Sequence, residues 1–86
     1  MYCLAIEQEV IKAFRKLGKK DRKQLEAANK KIQQILEDPL HFKPLKRPLE
    51  GLRRVHVGSF VLIYEVFENP KIVRVLKYKH HDEAYL

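Results

Sequence analysis

Eighty-six residues fit one domain, residues 1–86, and a chain of that size buries only about 60 to 65% of its unfolded surface, so its core has to be compact. Apolar residues make up 45% and charged residues 34% of the chain, which excludes a disordered polymer, and no apolar run approaches the ~18 residues that cross a bilayer. Eighteen Lys and Arg against eleven Asp and Glu leave a net charge of +7; such a field attracts phosphate polymers or an acidic protein partner, and is also found on thermally stable proteins rich in solvated charge.

The start, MYCLAIEQEV, has neither a basic n-region nor a small-residue cleavage site, so no secretory signal is visible and a cytoplasmic location is expected. Cys3 is the one cysteine; it excludes an internal disulfide, and its apolar neighbours predict a buried structural thiol. The apolar run Tyr2 to Ile6 suits a short strand. From Glu7 to Leu17, Val10, Ile11, Phe14 and Leu17 recur at three and four residues on one helical stripe, and Gly18 reads as the helix stop. A second helix follows, with Asp21 and Gln24 resembling a capping box, Leu25, Ala28, Ile32, Ile35 and Leu36 forming the stripe, and Pro39 ending it. So short a connection predicts an antiparallel helical hairpin.

After the loop LHFKPLKRPLEG the pattern changes. Leu52 to Val57 alternates, with Val55 and Val57 on one face and Arg54 and His56 on the other. Gly58 and Ser59 signal a two-residue turn, and Phe60 to Phe67 is apolar on both faces, as a central strand is. ENPK makes the next turn, and Ile72 to Tyr78 reads as a third strand of a meander. The expected fold class is α+β: an N-terminal strand and a helical hairpin packed on one face of a mainly antiparallel sheet, with the other face uncovered.

Arg54 and His56 stand out on that uncovered face. A solvated strand surface explains them as well as chemistry does. If the meander is antiparallel, the chain after Tyr78 emerges at one end of the same sheet, which directs His80, His81 and Tyr85 toward His56. RNA cleavage needs a base for the 2′-hydroxyl, an acid for the 5′-oxygen and fixed cations for the phosphorane between them. Histidine titrates near neutral pH and serves either role, Arg and Lys supply the cations, and Tyr85 can stack on a base. Lys43, Lys46 and Arg47 form a basic loop suited to phosphate contact or simply to solvation. A metal site is not expected, because neighbouring residues such as His80 and His81 alternate faces on a strand and no Cys pair or HExxH spacing occurs. No glycine-rich phosphate loop or serine-nucleophile motif occurs either, and no cofactor is expected.

The order β-α-α-β-β-β, the block PLEGLRRVHVGSFVLIYEV and the closing HHDEAY resemble the RelE/ParE toxin superfamily of type II toxin–antitoxin pairs, over nearly the whole chain. RelE itself uses an arginine just after the aromatic residue that opens the central strand and an arginine in the C-terminal motif. This chain has Val61 and His81 there. It is more similar to the YafQ-type branch, whose two histidines correspond to His56 and to His81 with Tyr85; Ser59 falls where that branch has an acidic residue and Arg47 where it has a further histidine. The resemblance implies a metal-independent, ribosome-dependent mRNA endoribonuclease that inhibits translation. His81 and His56 would be acid and base, Arg54 with Arg47 or Lys79 would steady the phosphorane, and Tyr85 would orient the nucleotide. Lys46, Arg53 and His80 would complete the RNA contacts. The implied partners are an antitoxin, the ribosome with its mRNA, and operator DNA only through the toxin–antitoxin complex; no membrane is implied. Two alternatives stay open: a ParE-type toxin directed at DNA gyrase, and a degenerate member that only binds antitoxin and DNA.

Overall fold

The computed structural model describes residues 2–46 and 51–83. Six elements follow in chain order: β1 (Cys3–Ile6), α1 (Gln8–Lys20), α2 (Arg22–Glu37), β2 (Leu52–Val57), β3 (Phe60–Glu68) and β4 (Lys71–His80). The sheet order is β1-β4-β3-β2, with β2, β3 and β4 antiparallel and β1 parallel to β4. The expected RelE-like α+β architecture is therefore the observed one.

The core forms where the helical stripes meet one sheet face. Val10, Ala28, Ile32 and Ile35 pack with Val55, Val57, Leu62, Tyr64, Val73, Val75 and Tyr78. Tyr64 is fully buried, and its hydroxyl donates to the Pro39 carbonyl at 2.7 Å, which ties the end of α2 to the central strand. Asp21 accepts from the Gln24 backbone N–H at 3.1 Å, as a helix N-cap does. The Gln24 side chain does not close a reciprocal box. Its amide instead donates to the Val57 carbonyl at 2.6 Å and the Tyr78 hydroxyl at 2.8 Å, fastening the start of α2 to the sheet.

Two expectations are corrected. Gly18 does not stop α1, which continues to Lys20. A Cβ on Gly18 would lie 3.2 Å from Leu25 Cδ2, so the small residue serves the close approach of the hairpin helices. Cys3 is exposed rather than buried. Its register partner is Ile72, on the face the helices leave open, and the apolar neighbours Leu4 and Ile6 fall on the other.

The turn Gly58–Ser59 holds as read: Gly58 has φ +62°, at the first central position of the hairpin turn, where glycine meets the positive φ at no steric cost. Strand β4 is longer than expected and is interrupted by a register shift opposite Ile63 and Tyr64. The loop segment at Pro44 bridges to Arg53, with Leu45 N–H donating to the Leu52 carbonyl and Arg54 N–H to the Lys43 carbonyl. These bonds occupy part of what would otherwise be a free β2 edge.

Candidate active site

The strand register builds the uncovered face row by row. His56 lies opposite Val61, and Val61 opposite Lys79; in the next row Arg54, Ile63 and Lys77 align in the same way. Val61 and Ile63 are 3% and 2% exposed, yet neither belongs to the core cluster under the helices. An apolar floor thus runs down the middle of the face, with an imidazole and a guanidinium on one side and two ammonium groups on the other. His56 and Lys79 are exposed, while Arg54 and Lys77 are half-buried. The flanking strands stand about 10 Å apart, two strand spacings, so long side chains can converge on one phosphodiester above Val61.

Lys77 is a member of this set that alternation did not identify. Counting forward by twos from the inward-facing Val73 and Val75 puts Lys77 inward and Tyr78 outward. The shift opposite Ile63 and Tyr64 skips Leu76 in the pairing, so Tyr78 and Val75 both join the core and Lys77 falls in the Arg54 row.

The other expected residues divide. Arg53 pairs with Tyr64 on the helix-covered face, where its Nη1 donates to the carbonyls of Phe42 at 2.7 Å and Leu40 at 3.3 Å. A structural role, holding the α2–β2 loop, replaces the phosphate contact expected of it. His80 is opposite Phe60 and meets its ring edge-on at 5.6 Å, in the row continuing the Tyr78 side of the sheet rather than the His56 side. His81 lies past the end of β4 at the tip of the β2–β3 hairpin, where its backbone N–H donates to the Ser59 carbonyl at 2.9 Å. His56, next to Val57 at the same end of the sheet, shares that locality, but among the described residues no hydrogen bond or ring contact joins it to His81. Lys46 is exposed in its loop, away from these strand rows. Arg47 and Tyr85 lie outside the described residues.

The alternation argument that separated His80 from His81 does not apply here. Strand β4 ends at His80, His81 belongs to the following turn, and the two rings lie 4.5 Å apart. Among the described residues, three tyrosines have raised pKa values. Burial pushes Tyr64 up to about 12 and raises Tyr78, against the opposing bond from Gln24, whereas Tyr2 is raised first by its hydrogen bond to the Glu68 carboxylate. None of the three is in the face rows, and each is committed to a structural bond.

Comparisons with known proteins bear on the family and the fold. The family model described as "ParE toxin of type II toxin-antitoxin system, parDE" matches residues 4–85. A protein of Methanocaldococcus jannaschii named as a RelE4 toxin is 42% identical over 86 residues, covering 99% of this chain and 92% of its own. Among solved structures, the YoeB/ParE toxin from Agrobacterium tumefaciens superposes with a TM-score of 0.83 at 17% identity, covering 92% of this chain and 98% of that one. The archaeal RelE–RelB complex from Pyrococcus horikoshii superposes with a TM-score of 0.73 at 21% identity, covering 96% and 98%. No helix among the described residues is long and apolar enough to cross a membrane. The chain therefore belongs to the ParE/RelE family of type II toxin–antitoxin toxins.

Proposed function

We propose that the protein is a ribosome-dependent mRNA endoribonuclease, inhibiting translation in the cytoplasm until its cognate antitoxin binds. The observation that carries this reading is the uncovered sheet face, where His56 and Lys79 flank Val61 and Arg54 and Lys77 flank Ile63. A base removes the proton of a ribose 2′-hydroxyl, the 2′-oxygen attacks phosphorus, the bond from phosphorus to the 5′-oxygen breaks, and an acid returns a proton to that oxygen. The products are a 2′,3′-cyclic phosphate and a 5′-hydroxyl. In this scheme His56 serves as one proton-transfer group and His81, at the hairpin tip, as the other; Arg54, Lys77 and Lys79 supply the cations that steady the dianionic phosphorane. Arg47 and Tyr85 keep the roles expected of them, phosphate contact and nucleotide orientation, as part of the proposal. The domain is taken to span residues 1–86, and operator DNA enters only through the complex with antitoxin.

The test is cleavage of a defined mRNA on purified ribosomes, mapped by primer extension. Both His56→Ala and His81→Ala are expected to lose on the order of 10²-fold or more in rate, the usual scale for an acid or base. Full activity in both variants would sink the assignment. Cleavage in magnesium buffer is expected to persist when a transition-metal chelator is added, since every proton and charge in the scheme is handled by side chains.

A second reading has its own support. The matching family model is described by a ParE toxin, and among the described residues no hydrogen bond or ring contact joins His81 to His56. A gyrase-directed toxin, or a member that only binds antitoxin and DNA, needs no such contact. DNA damage with intact mRNA in expressing cells identifies the first, and absence of any toxicity the second.

A further inference from the structure

The cluster after β4 has an unbalanced set of lone pairs. His81 Nδ1 lies 3.0 Å from the Ser59 carbonyl oxygen. A carbonyl only accepts, so Nδ1 carries the hydrogen and, in a neutral ring, Nε2 presents a lone pair. That Nε2 faces Asp82 Oδ1 at 3.0 Å, acceptor against acceptor. His80 has the opposite arrangement: the Asp82 backbone N–H donates to its Nδ1 at 3.3 Å, so Nδ1 is the unprotonated nitrogen, its lone pair engaged by that long bond, and Asp82 Oδ2 lies 3.5 Å from it. The ligand-type atoms of the three residues all lie within 4.8 Å of one another.

A proton on His81 Nε2 would relieve one of these contacts. A metal ion would relieve both, taking the His80 Nδ1 lone pair from the Asp82 N–H and accepting both nitrogens and the carboxylate at once. We propose that His80 Nδ1, His81 Nε2 and the Asp82 carboxylate form a three-ligand site for a divalent transition ion of the zinc class, with the fourth position open to water. Two imidazoles and one carboxylate suit zinc, nickel or copper better than magnesium or calcium. A tetrahedral zinc with bonds of about 2.05 Å sets its ligand atoms about 3.3 Å apart; the contacts of 3.0 and 3.5 Å run to different oxygens of Asp82, so the exposed carboxylate has to turn to offer one oxygen to both nitrogens. The Ser59 carbonyl on His81 Nδ1–H is the outer partner that a metal-ligating histidine commonly has, fixing its tautomer and ring plane. The side chains are 37%, 50% and 73% exposed, so the ion needs no opening of the fold to enter. A bound ion would occupy Nε2 of His81, the residue to which the proposed function gives proton transfer; that consequence rests on the proposed function, whereas binding itself does not.

Binding is measured without ribosomes or RNA, on untagged protein freed of metal, by calorimetric titration with zinc chloride. One ion per chain is expected, with affinity reduced about tenfold or more by His80→Ala and by His81→Ala and unchanged by His56→Ala or Cys3→Ser. Nitrogen-detected NMR of the wild-type rings adds a readout that needs no variant to fold: before zinc, hydrogen on Nδ1 of His81 and Nε2 of His80; with zinc, shifts at Nε2 of His81 and Nδ1 of His80. Absence of binding at millimolar zinc, binding that survives both histidine substitutions, or shifts confined to other nitrogens would overturn the site.

Discussion

His56 and His81 occupy one end of the sheet by different means. His56 is set by strand register opposite Val61, while His81 hangs from the Ser59 carbonyl through its backbone and Nδ1. Substituting either leaves the apolar core untouched, so a loss of cleavage in the alanine variants would report chemistry rather than unfolding. Tyr64 presents the reverse case, a titrating group whose role is structural. Burial raises its pKa to about 12, against about 10 in an unfolded chain. The protonated phenol is therefore favoured by folding, and the stability it contributes is complete below pH 10 and lost as pH rises from there through 12. Urea unfolding is expected to show a falling midpoint across that window in the wild type and a shallower fall in Tyr64→Phe. The phenylalanine variant should also be weaker at pH 7 by about 1 kcal/mol, because the Pro39 carbonyl loses its donor.

At the level of elements, the β2–β3 hairpin and the start of α2 behave as one unit. Gln24 spans them through the Val57 carbonyl and the Tyr78 hydroxyl, and a Cβ on Gly58 would lie 2.9 Å from Gln24 Oε1. Gly58→Ala combines that contact with a left-handed φ, which costs an L-residue roughly 1 to 2 kcal/mol; Gln24→Ala removes both donated bonds and is expected to cost about 1 to 2 kcal/mol. Denaturant unfolding measures each. The two effects should be less than additive in the double variant, since alanine at position 24 removes the atoms that Gly58→Ala would strike. The hairpin tip also carries Ser59, the anchor of His81, so Gly58→Ala should disturb the candidate site as well as stability.

Across the whole molecule, part of the charge behind the net +7 falls on the face the helices leave open, at Arg54, Lys77 and Lys79. If Arg54, Lys77 and Lys79 each neutralise one phosphate, log K for single-stranded RNA should fall with log salt at a slope of about −2. Fluorescence anisotropy with a labelled RNA checks the slope, and Lys77→Ala should reduce its magnitude by about 0.7. An unchanged slope would place the bound RNA on another surface.

The sequence by itself determined the elements, their order and the covered face, because periods of 3.6 and 2 in Val10, Phe14, Ala28, Ile32, Val55 and Val57 report local geometry directly. It also placed Arg54 and His56 together, since two residues apart on a strand is a local relation. Periodicity failed where chain neighbours stop deciding. Gly18 read as a stop because the nearness of Leu25 belongs to another helix, and Cys3 read as buried because composition does not say which face of an edge strand is covered. Lys77 was missed because the shift opposite Ile63 and Tyr64 is a property of the pairing. Arg53 and Arg54 are adjacent and chemically identical, yet one holds a loop through the carbonyls of Leu40 and Phe42 while the other faces the candidate site. His80 and His81 were separated by strand alternation and meet because the strand ends between them. Tertiary structure alone decided these, for the same reason each time: partners far along the chain, not neighbours, supplied the bond or the space.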